Sequence, residues 1–448
     1  MKQLYDRPFT NRDLLRLLIP LIIEQMLAVT VGLADSLMVS SLGEAAVSSV
    51  SLVDTVNVLL NSLFASLATG GAIVTGQYLG AKAMEKAQKS AEQLLLFNVA
   101  VAVVMTSVMY LLQKSIVYGL FGAVEPDVAS NALAYFRIVE LSIPFLALYS
   151  AGAALFRVMG DSKTSMKISL YMNLINVVGN ALLIYVFKWD VSGVAVPTLV
   201  SRIFAAGAIL YLLRNQNLSV HLSKDFRLRF DRKIVGLIVK TGVPNGIEGS
   251  MFQLGKILLM SVISSFGTVA IAANAIGSTL FTFQNIPGNA ASLAATTVIS
   301  QCTGLRDYDS SKFYTKKLLL FAHTGLLISN CLVLLLLPTI LGIYQVSDEA
   351  RALAQMLTTS YAVVCCLCWP MSFSFPQTLR ASGDNRYVMM ISVMSMWMFR
   401  LVLGVVLAKH MGMGLPGVWI AMYVDWIVRG ICFLIRYRTG KWMTKAIK

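Results

Sequence analysis

"LLLFNVAVAVVMTSVMYLL", residues 94–112, carries no charged side chain from end to end. A helix needs about 20 apolar residues to cross the hydrocarbon core of a bilayer. A second run, "LLLFAHTGLLISNCLVLLLLPTILGIY" at 318–344, is longer still. Of the 448 residues, 57% are hydrophobic and 13% are charged, whereas soluble domains carry about 25% charged residues. The solvent for this chain is therefore lipid. About twelve spanning segments follow, at roughly 14–40, 47–78, 91–112, 130–156, 166–187, 193–213, 234–263, 269–301, 316–344, 352–379, 387–408 and 416–436. Lipid cannot satisfy backbone polar groups, so each segment is a helix; the alternation of a membrane strand is absent.

The net charge of +15 reflects topology and does not indicate nucleic acid. One set of connections is rich in Lys and Arg, including Lys82, Lys86, Lys89, Lys163, Lys167, Arg227, Arg229, Arg232, Lys233, Arg306, Lys312, Lys316, Lys317 and Arg386. The termini belong to that set through Lys2, Arg7, Lys441, Lys445 and Lys448. The alternate connections hold little beyond Lys114, Lys188, Arg351 and Lys409. The rich set faces the cytoplasm, so both termini are inside a plasma-membrane protein with an even number of spans. The first apolar run is too long for a signal peptide and no small-residue cleavage site follows it, so it is retained. The six cysteines lie in the second half of the chain; Cys365 and Cys368 are one turn apart and are expected to be buried inert thiols.

The chain also matches itself when slid by 224 residues. Pro20, Ile23 and Glu24 fall on Pro244, Ile247 and Glu248, and "SSLG" (40–43) falls on "SSFG" (264–267). Asn61, Gln77 and Gly80 fall on Asn285, Gln301 and Gly304, and "FRVMGDSKTSMKIS" (156–169) matches "LRASGDNRYVMMIS" (379–392). The expected domains are two six-helix lobes, 1–213 and 234–448, joined by a basic linker at 214–233. An even number of helices per copy gives both lobes the same orientation. Transporters use such a parallel repeat to rock one half against the other around a central site.

Polar residues within the spans are the functional candidates, since an intramembrane carboxylate defaults to ion or proton handling. Asp35 stands inside "VGLADSLMVSSLG" (31–43), and its repeat partner is Leu259, so it is not shared scaffold. Asn173, Asn176 and Asn180 share one helix face, and Thr198 and Ser201 lie on the next segment. Glu24 and Glu248 follow the twin prolines by four residues, where a proline kink frees a carbonyl; with Lys256, placed to pair with Glu248, they make a possible second polar site, structural or ion-binding. Asp425 and Arg429 form an i,i+4 pair. Asp54 is expected near the interface; Glu140, Arg202 and Arg400 are further intramembrane charges. Pro287 and Gly288 predict a bend, so Gln284, Asn285, Pro287 and Asn61 are assigned to the cavity and its gating. "GMGLPG" (412–417) is no dinucleotide site, because it lies between membrane helices and not after a strand. Asn217 begins a glycosylation sequon that topology places in the cytoplasm. No phosphate-binding loop and no histidine pattern for a metal is present.

These features resemble the multidrug and toxic compound extrusion (MATE) family over nearly the whole chain. The likeness rests on "GLADSLMVSSLGEAAVSSV" (32–50), "TGQYLGA" (75–81), "LFRVMGDSK" (155–163) and "PGVWIAMYVDWIVRG" (416–430). It implies an all-α membrane protein of two six-helix lobes around a central cavity, acting as a secondary antiporter. Such a transporter exports organic cations or amphipathic drugs and metabolites in exchange for H⁺ or Na⁺. It has no cofactor and no enzymatic activity, it works as a monomer in the lipid bilayer, and it does not bind nucleic acid. The coupling positions it implies are Asp35, Asn176 and Thr198, with Asn180 where several members carry an aspartate; Na⁺ at Asp35 is the one metal ion considered. Phe252 stands where other members carry a glutamate, and "PMSFSFPQTLRASGD" (370–384) lacks the aspartate of others. The alternative is a lipid-linked oligosaccharide flippase, which would need mid-helix cations such as Lys256, Arg202 and Arg400 to meet pyrophosphate.

Overall fold

The computed structural model describes residues 7–120, 125–223, 229–344 and 346–447. Lys2, Arg227 and Lys448 of the topology argument lie outside the described residues. No strand occurs among the described residues. The helices are α1 (Asn11–Ser40), α2 (Glu44–Gly80), α3 (Met84–Ser115), α4 (Pro126–Leu141), α5 (Ile143–Val158), α6 (Ser162–Ala181), α7 (Ser192–Leu213), α8 (Arg232–Ser264), α9 (Thr268–Gln284), α10 (Ile286–Gly304), α11 (Tyr308–Ile343), α12 (Asp348–Trp369), α13 (Pro376–Ala381), α14 (Asn385–Ser395), α15 (Leu403–Val405) and α16 (Gly414–Arg438).

Among the described residues, ten helical stretches are long and apolar enough to span a membrane, and the pair α4–α5, bent by 42°, makes an eleventh. The remaining expected segment, 269–301, is occupied by α9 and α10, which part at Asn285. Pro287 stands in the first turn of α10, where a missing N–H costs nothing. The expected bend therefore falls two residues before the proline. The outer faces are apolar: Leu111, Leu335 and Ile343 are more than three-quarters exposed, a surface that suits lipid and would aggregate in water.

The chain divides into two compact units. One is Leu15–Gly246; the other is Ile247–Lys448 with the residues up to Leu14. The first turns of α8 go with the first unit because glycines admit a close approach there. A Cβ on Gly70 would stand 2.5 Å from the Cα of Gly242, so α2 and α8 touch backbone to backbone. Small residues are what bring membrane helices together, because lipid supplies no hydrophobic drive between them. Asn98 adds a polar tie, donating to the Ala147 carbonyl at 2.9 Å from the middle of α3 to α5.

The internal repeat reappears in the backbone. Gly43 and Gly267 end "SSLG" and "SSFG" at φ 100° and 89°, a region that only glycine enters without strain. Each lets the chain reverse between two antiparallel helices, α1 to α2 and α8 to α9.

Candidate functional site

In the unit Leu15–Gly246, α1, α2, α4, α6 and α7 enclose a cavity of about 400 Å³. Its floor depends on a close contact between α6 and α7. A Cβ on Gly179 would meet Pro197 at 2.7 Å, so only glycine allows this approach. That approach sets Asn176 and Asn180 of α6 beside Thr198 of α7. Asn180, fully buried behind the cavity wall, donates its Nδ2 to Asp35 Oδ1 at 2.8 Å and lies 3.3 Å from the Asn176 side-chain amide. Thr198 Oγ1 lies 3.0 Å from the Asn176 side chain and donates to the Val194 carbonyl at 3.0 Å. These four residues, drawn from three helices, form one contiguous polar cluster. Asn173 and Ser201 also line the cavity.

The Asn176 amide bridges Asp35 and Thr198: its nitrogen donates to Asp35 Oδ1 and Oδ2 at 3.0 and 3.3 Å, and its oxygen accepts from Thr198 Oγ1 at 3.0 Å. An ionised carboxylate accepts only, so it suits the amide donors that Asn176 and Asn180 aim at it. With its oxygens turned inward, the same cluster offers carboxylate, amide and hydroxyl oxygens, the hard donors that an alkali cation takes. Among the described residues, no group of three or more His, Cys, Asp or Glu forms a metal site.

More charge surrounds this cluster than the sequence suggested. Asp54 lies ten residues into α2 and lines the cavity, 3.5 Å from Asn57 Nδ2 and from the Tyr135 hydroxyl. Arg202 also lines the cavity and donates to Ser142 Oγ at 2.6 Å. Its charge acts on Asp35, Asp54 and Glu140 together. Glu140 is wholly buried, and both its carboxylate oxygens lack a hydrogen-bond partner among the described residues. One arginine thus serves three carboxyl groups.

Glu24 and Glu248 occupy matching places in the two units, and both are engaged by arginine. Arg157 of α5 donates to Glu24 at 3.0 Å, with Ser165 on the other oxygen at 3.0 Å. Arg380 of α13 grips both oxygens of Glu248 at 2.6 and 2.7 Å, and Arg429 stands 3.6 Å away. The expected Lys256–Glu248 pair does not form. Lys256 Nζ lies over the Phe252 ring, 5.1 Å from its centroid, because the Arg380 and Arg429 guanidinium groups already hold the carboxylate. The Asp425–Arg429 pair is present at 3.9 Å. Of the residues assigned to the cavity and its gating, Asn61 lines the cavity described above. Gln284 and Asn285 are buried in the other unit, where Asn285 Nδ2 donates to the Tyr361 hydroxyl at 2.7 Å; Pro287 there packs against Gly325. The signal for the arginine partners was present in the repeat, which duplicates Arg157 as Arg380 just as it duplicates Glu24 as Glu248.

Comparison with known proteins gives a family profile described as MatE, matching residues 20–182 and again 244–406. The two matches are displaced by 224 residues at both ends, the same displacement as the internal repeat. "Uncharacterized transporter YisQ" of Bacillus subtilis is 25% identical, over 100% of this chain and 98% of that protein. "Probable multidrug resistance protein NorM" of Thermotoga maritima is 22% identical, over 98% and 95%. Among solved structures, a MATE protein in the straight conformation superposes with a TM-score of 0.90 at 20% identity, covering 97% of each chain. An outward-facing multidrug resistance MATE family transporter of the MOP superfamily superposes with a TM-score of 0.90 at 21% identity, covering 96% of each.

Proposed function

Since this chain belongs to the MatE family of multidrug efflux transporters, we propose that it is a secondary antiporter coupled at Asp35. It exports organic cations or other amphipathic compounds and admits H⁺ or Na⁺ in return. The observation that carries this reading is the 2.8 Å contact between Asn180 and Asp35 at the wall of a 400 Å³ cavity, with Asn176 and Thr198 completing the cluster.

A proton or Na⁺ arriving at Asp35 cancels its charge. The donors that Asn176 and Asn180 aim at the ionised carboxylate then face a neutral one, so the α1–α6–α7 contact differs between the two charge states. A ligand shifts a conformational equilibrium only by its differential affinity for the two states. Asp35 supplies that difference because the ion binds strongly where the amides and hydroxyl converge and weakly where they part. Glu24 and Glu248, held by arginines, act as struts within each unit and do not exchange ions. In this reading the two six-helix lobes are 1–213 and 234–448, the basic segment 214–233 is the cytoplasmic linker between them, and the protein works as a monomer in the plasma membrane with both termini in the cytoplasm.

The test is ethidium efflux from proteoliposomes under an imposed Na⁺ gradient and, separately, an imposed pH gradient. Asp35→Asn is expected to abolish gradient-driven efflux while leaving the protein monodisperse. Undiminished coupled efflux by that variant would sink the assignment, and the gradient that drives the parent identifies the ion.

A further inference from the structure

In the unit containing α9 to α16, the intramembrane charges do not balance. Glu248 is held by Arg380 and Asp425 by Arg429. Lys256 and Arg400 remain, and neither has an anionic partner within 4.0 Å among the described residues. Both share one aromatic support: Lys256 Nζ and the Arg400 guanidinium each lie 5.1 Å from the centroid of the Phe252 ring. They therefore stand no further apart than twice that distance. Arg400 is 8% exposed, so water does little to offset its charge, and a ring face only partly replaces an anion. Charged groups at this depth pair with one another or mark a substrate path.

The repeat shows where this pair sits. Moving back 224 residues takes Lys256 to Gly32 and Arg400 to Asn176; the one-residue slip in the later matches places Arg400 within one position of it. Gly32 and Asn176 both line the cavity around Asp35. In the second copy, Leu259 replaces the carboxylate, Lys256 stands at a position that walls the cavity in the first copy, and Arg400 stands at or next to another.

The geometry points to an anion subsite at Lys256 and Arg400, built on Phe252, that takes the carboxylate or phosphate group of an amphipathic ligand. A group of that kind accepts charge-assisted hydrogen bonds on both sides, while its apolar body lies against Phe252 and the neighbouring Phe373, whose ring centroid is 6.5 Å away. This assigns the exported compounds an acidic group in addition to any positive one. It rests on the transporter reading only for calling the ligand a substrate, since binding itself needs no gradient.

The test is isothermal titration of the full-length protein in neutral detergent with a fluoroquinolone carboxylic acid and with its methyl ester. The acid is expected to bind at least tenfold more tightly than the ester. Lys256→Gln and Arg400→Gln should each weaken the acid about tenfold and leave the ester unchanged. Lys256 is exposed, so its variant carries the test even where the Arg400 variant fails to fold. Equal affinities of the parent for acid and ester, or equal losses of both in Lys256→Gln, would overturn the subsite. A soluble substrate and a lipid headgroup share this chemistry. Repeating the titration in nanodiscs with and without phosphatidylglycerol separates them: displacement of the acid by that lipid, lost in Lys256→Gln, assigns the subsite to a headgroup, and undisturbed acid binding assigns it to the soluble compound. Loss of gradient-driven ethidium efflux with acid binding intact would count against the antiport reading alone.

Discussion

Replacing Arg157 by Met is expected to destabilise the protein by about 3–5 kcal/mol, the usual cost of leaving one member of a buried ion pair alone. Replacing Arg380 by Met should cost clearly less, although the two arginines occupy matching positions. Glu24 has Arg157 at 3.0 Å and, beyond it, the neutral hydroxyl of Ser165. Glu248 has Arg380 at 2.6 Å and a second cation, Arg429, at 3.6 Å. At an effective dielectric of about 20, charges at 2.6 and 3.6 Å attract by about 6 and about 5 kcal/mol before desolvation is counted. Most of the compensation for Glu248 therefore survives the loss of Arg380, leaving a net cost of roughly 1–2 kcal/mol. Titrating the purified variants from dodecyl maltoside into SDS micelles gives both unfolding free energies. The double variant Glu24→Gln/Arg157→Met should recover most of the loss, because no charge is then stranded. An Arg380→Met variant as unstable as Arg157→Met, or a double variant no better than the single, would refute the reasoning.

Gly70→Ala should lower stability by about 1–3 kcal/mol, as overpacking does, because its new Cβ would stand 2.5 Å from the Gly242 backbone. Gly246→Ala meets the tip of Leu63 at 3.1 Å and Ser66 Cβ at an ordinary 3.9 Å, and should be tolerated; thermal stability by size-exclusion chromatography compares the two. Asn180→Ala removes the 2.8 Å donor to Asp35 and should reduce coupled ethidium efflux about tenfold, equivalent to one hydrogen bond to a charged group. Asp231 caps α8, accepting from the backbone nitrogens of Lys233 and Ile234 at 2.9 and 3.3 Å and from Lys89 Nζ at 2.7 Å. The Lys89 ammonium, the largest influence, and the backbone donors hold its carboxyl below the usual range. A depressed carboxyl contributes stability above its unfolded pKa and loses it as pH falls through the folded one. Asp231→Ala should thus cost about 1 kcal/mol at neutral pH, and the gap to the parent should close in acid.

The spans were legible because lipid makes each helix satisfy its own backbone, so twenty apolar residues fix both type and length. The repeat was legible because whole motifs recur, and its glycines recur with the same backbone geometry. Tertiary partners were a different matter. Glu24 and Arg157 are 133 residues apart, and nothing in a single chain tells which helices adjoin. Spacing alone put Lys256 with Glu248, since eight residues make about two turns. The pairing failed because guanidinium groups from two other helices reach the carboxylate first. Asp54 joins the cavity wall beside Tyr135 of α4, a neighbour that spacing along its own helix does not announce. The asparagines of α6 were found by their shared face, whereas Glu140 and Arg202 gain meaning only from a cavity whose walls come from five helices.

Sign and symmetry together constrain how exchange can work. The first copy of the repeat surrounds its cavity with carboxyl groups in excess over arginine, and the second carries the unpaired cations Lys256 and Arg400 at or beside the corresponding positions. On the proposed reading, a proton or Na⁺ at Asp35 changes the charge of one unit and leaves the Lys256–Arg400 pair as it was. An acidic substrate held at that pair does not share a site with the coupling ion, so the two can influence each other only through a conformational equilibrium, and that influence must be reciprocal. A purely cationic substrate has the carboxyl-lined cavity as its natural seat and meets the coupling ion there directly. Raising Na⁺ or H⁺ on the substrate side should consequently inhibit ethidium uptake into inverted vesicles competitively, raising KM with the maximal rate unchanged. The same titration against a fluoroquinolone acid should raise KM only to a plateau set by the coupling free energy, whereas direct competition raises it without limit. Competitive inhibition of both compounds would mean that acid and cation share the Asp35 cavity, and the division of labour between the two copies would fall.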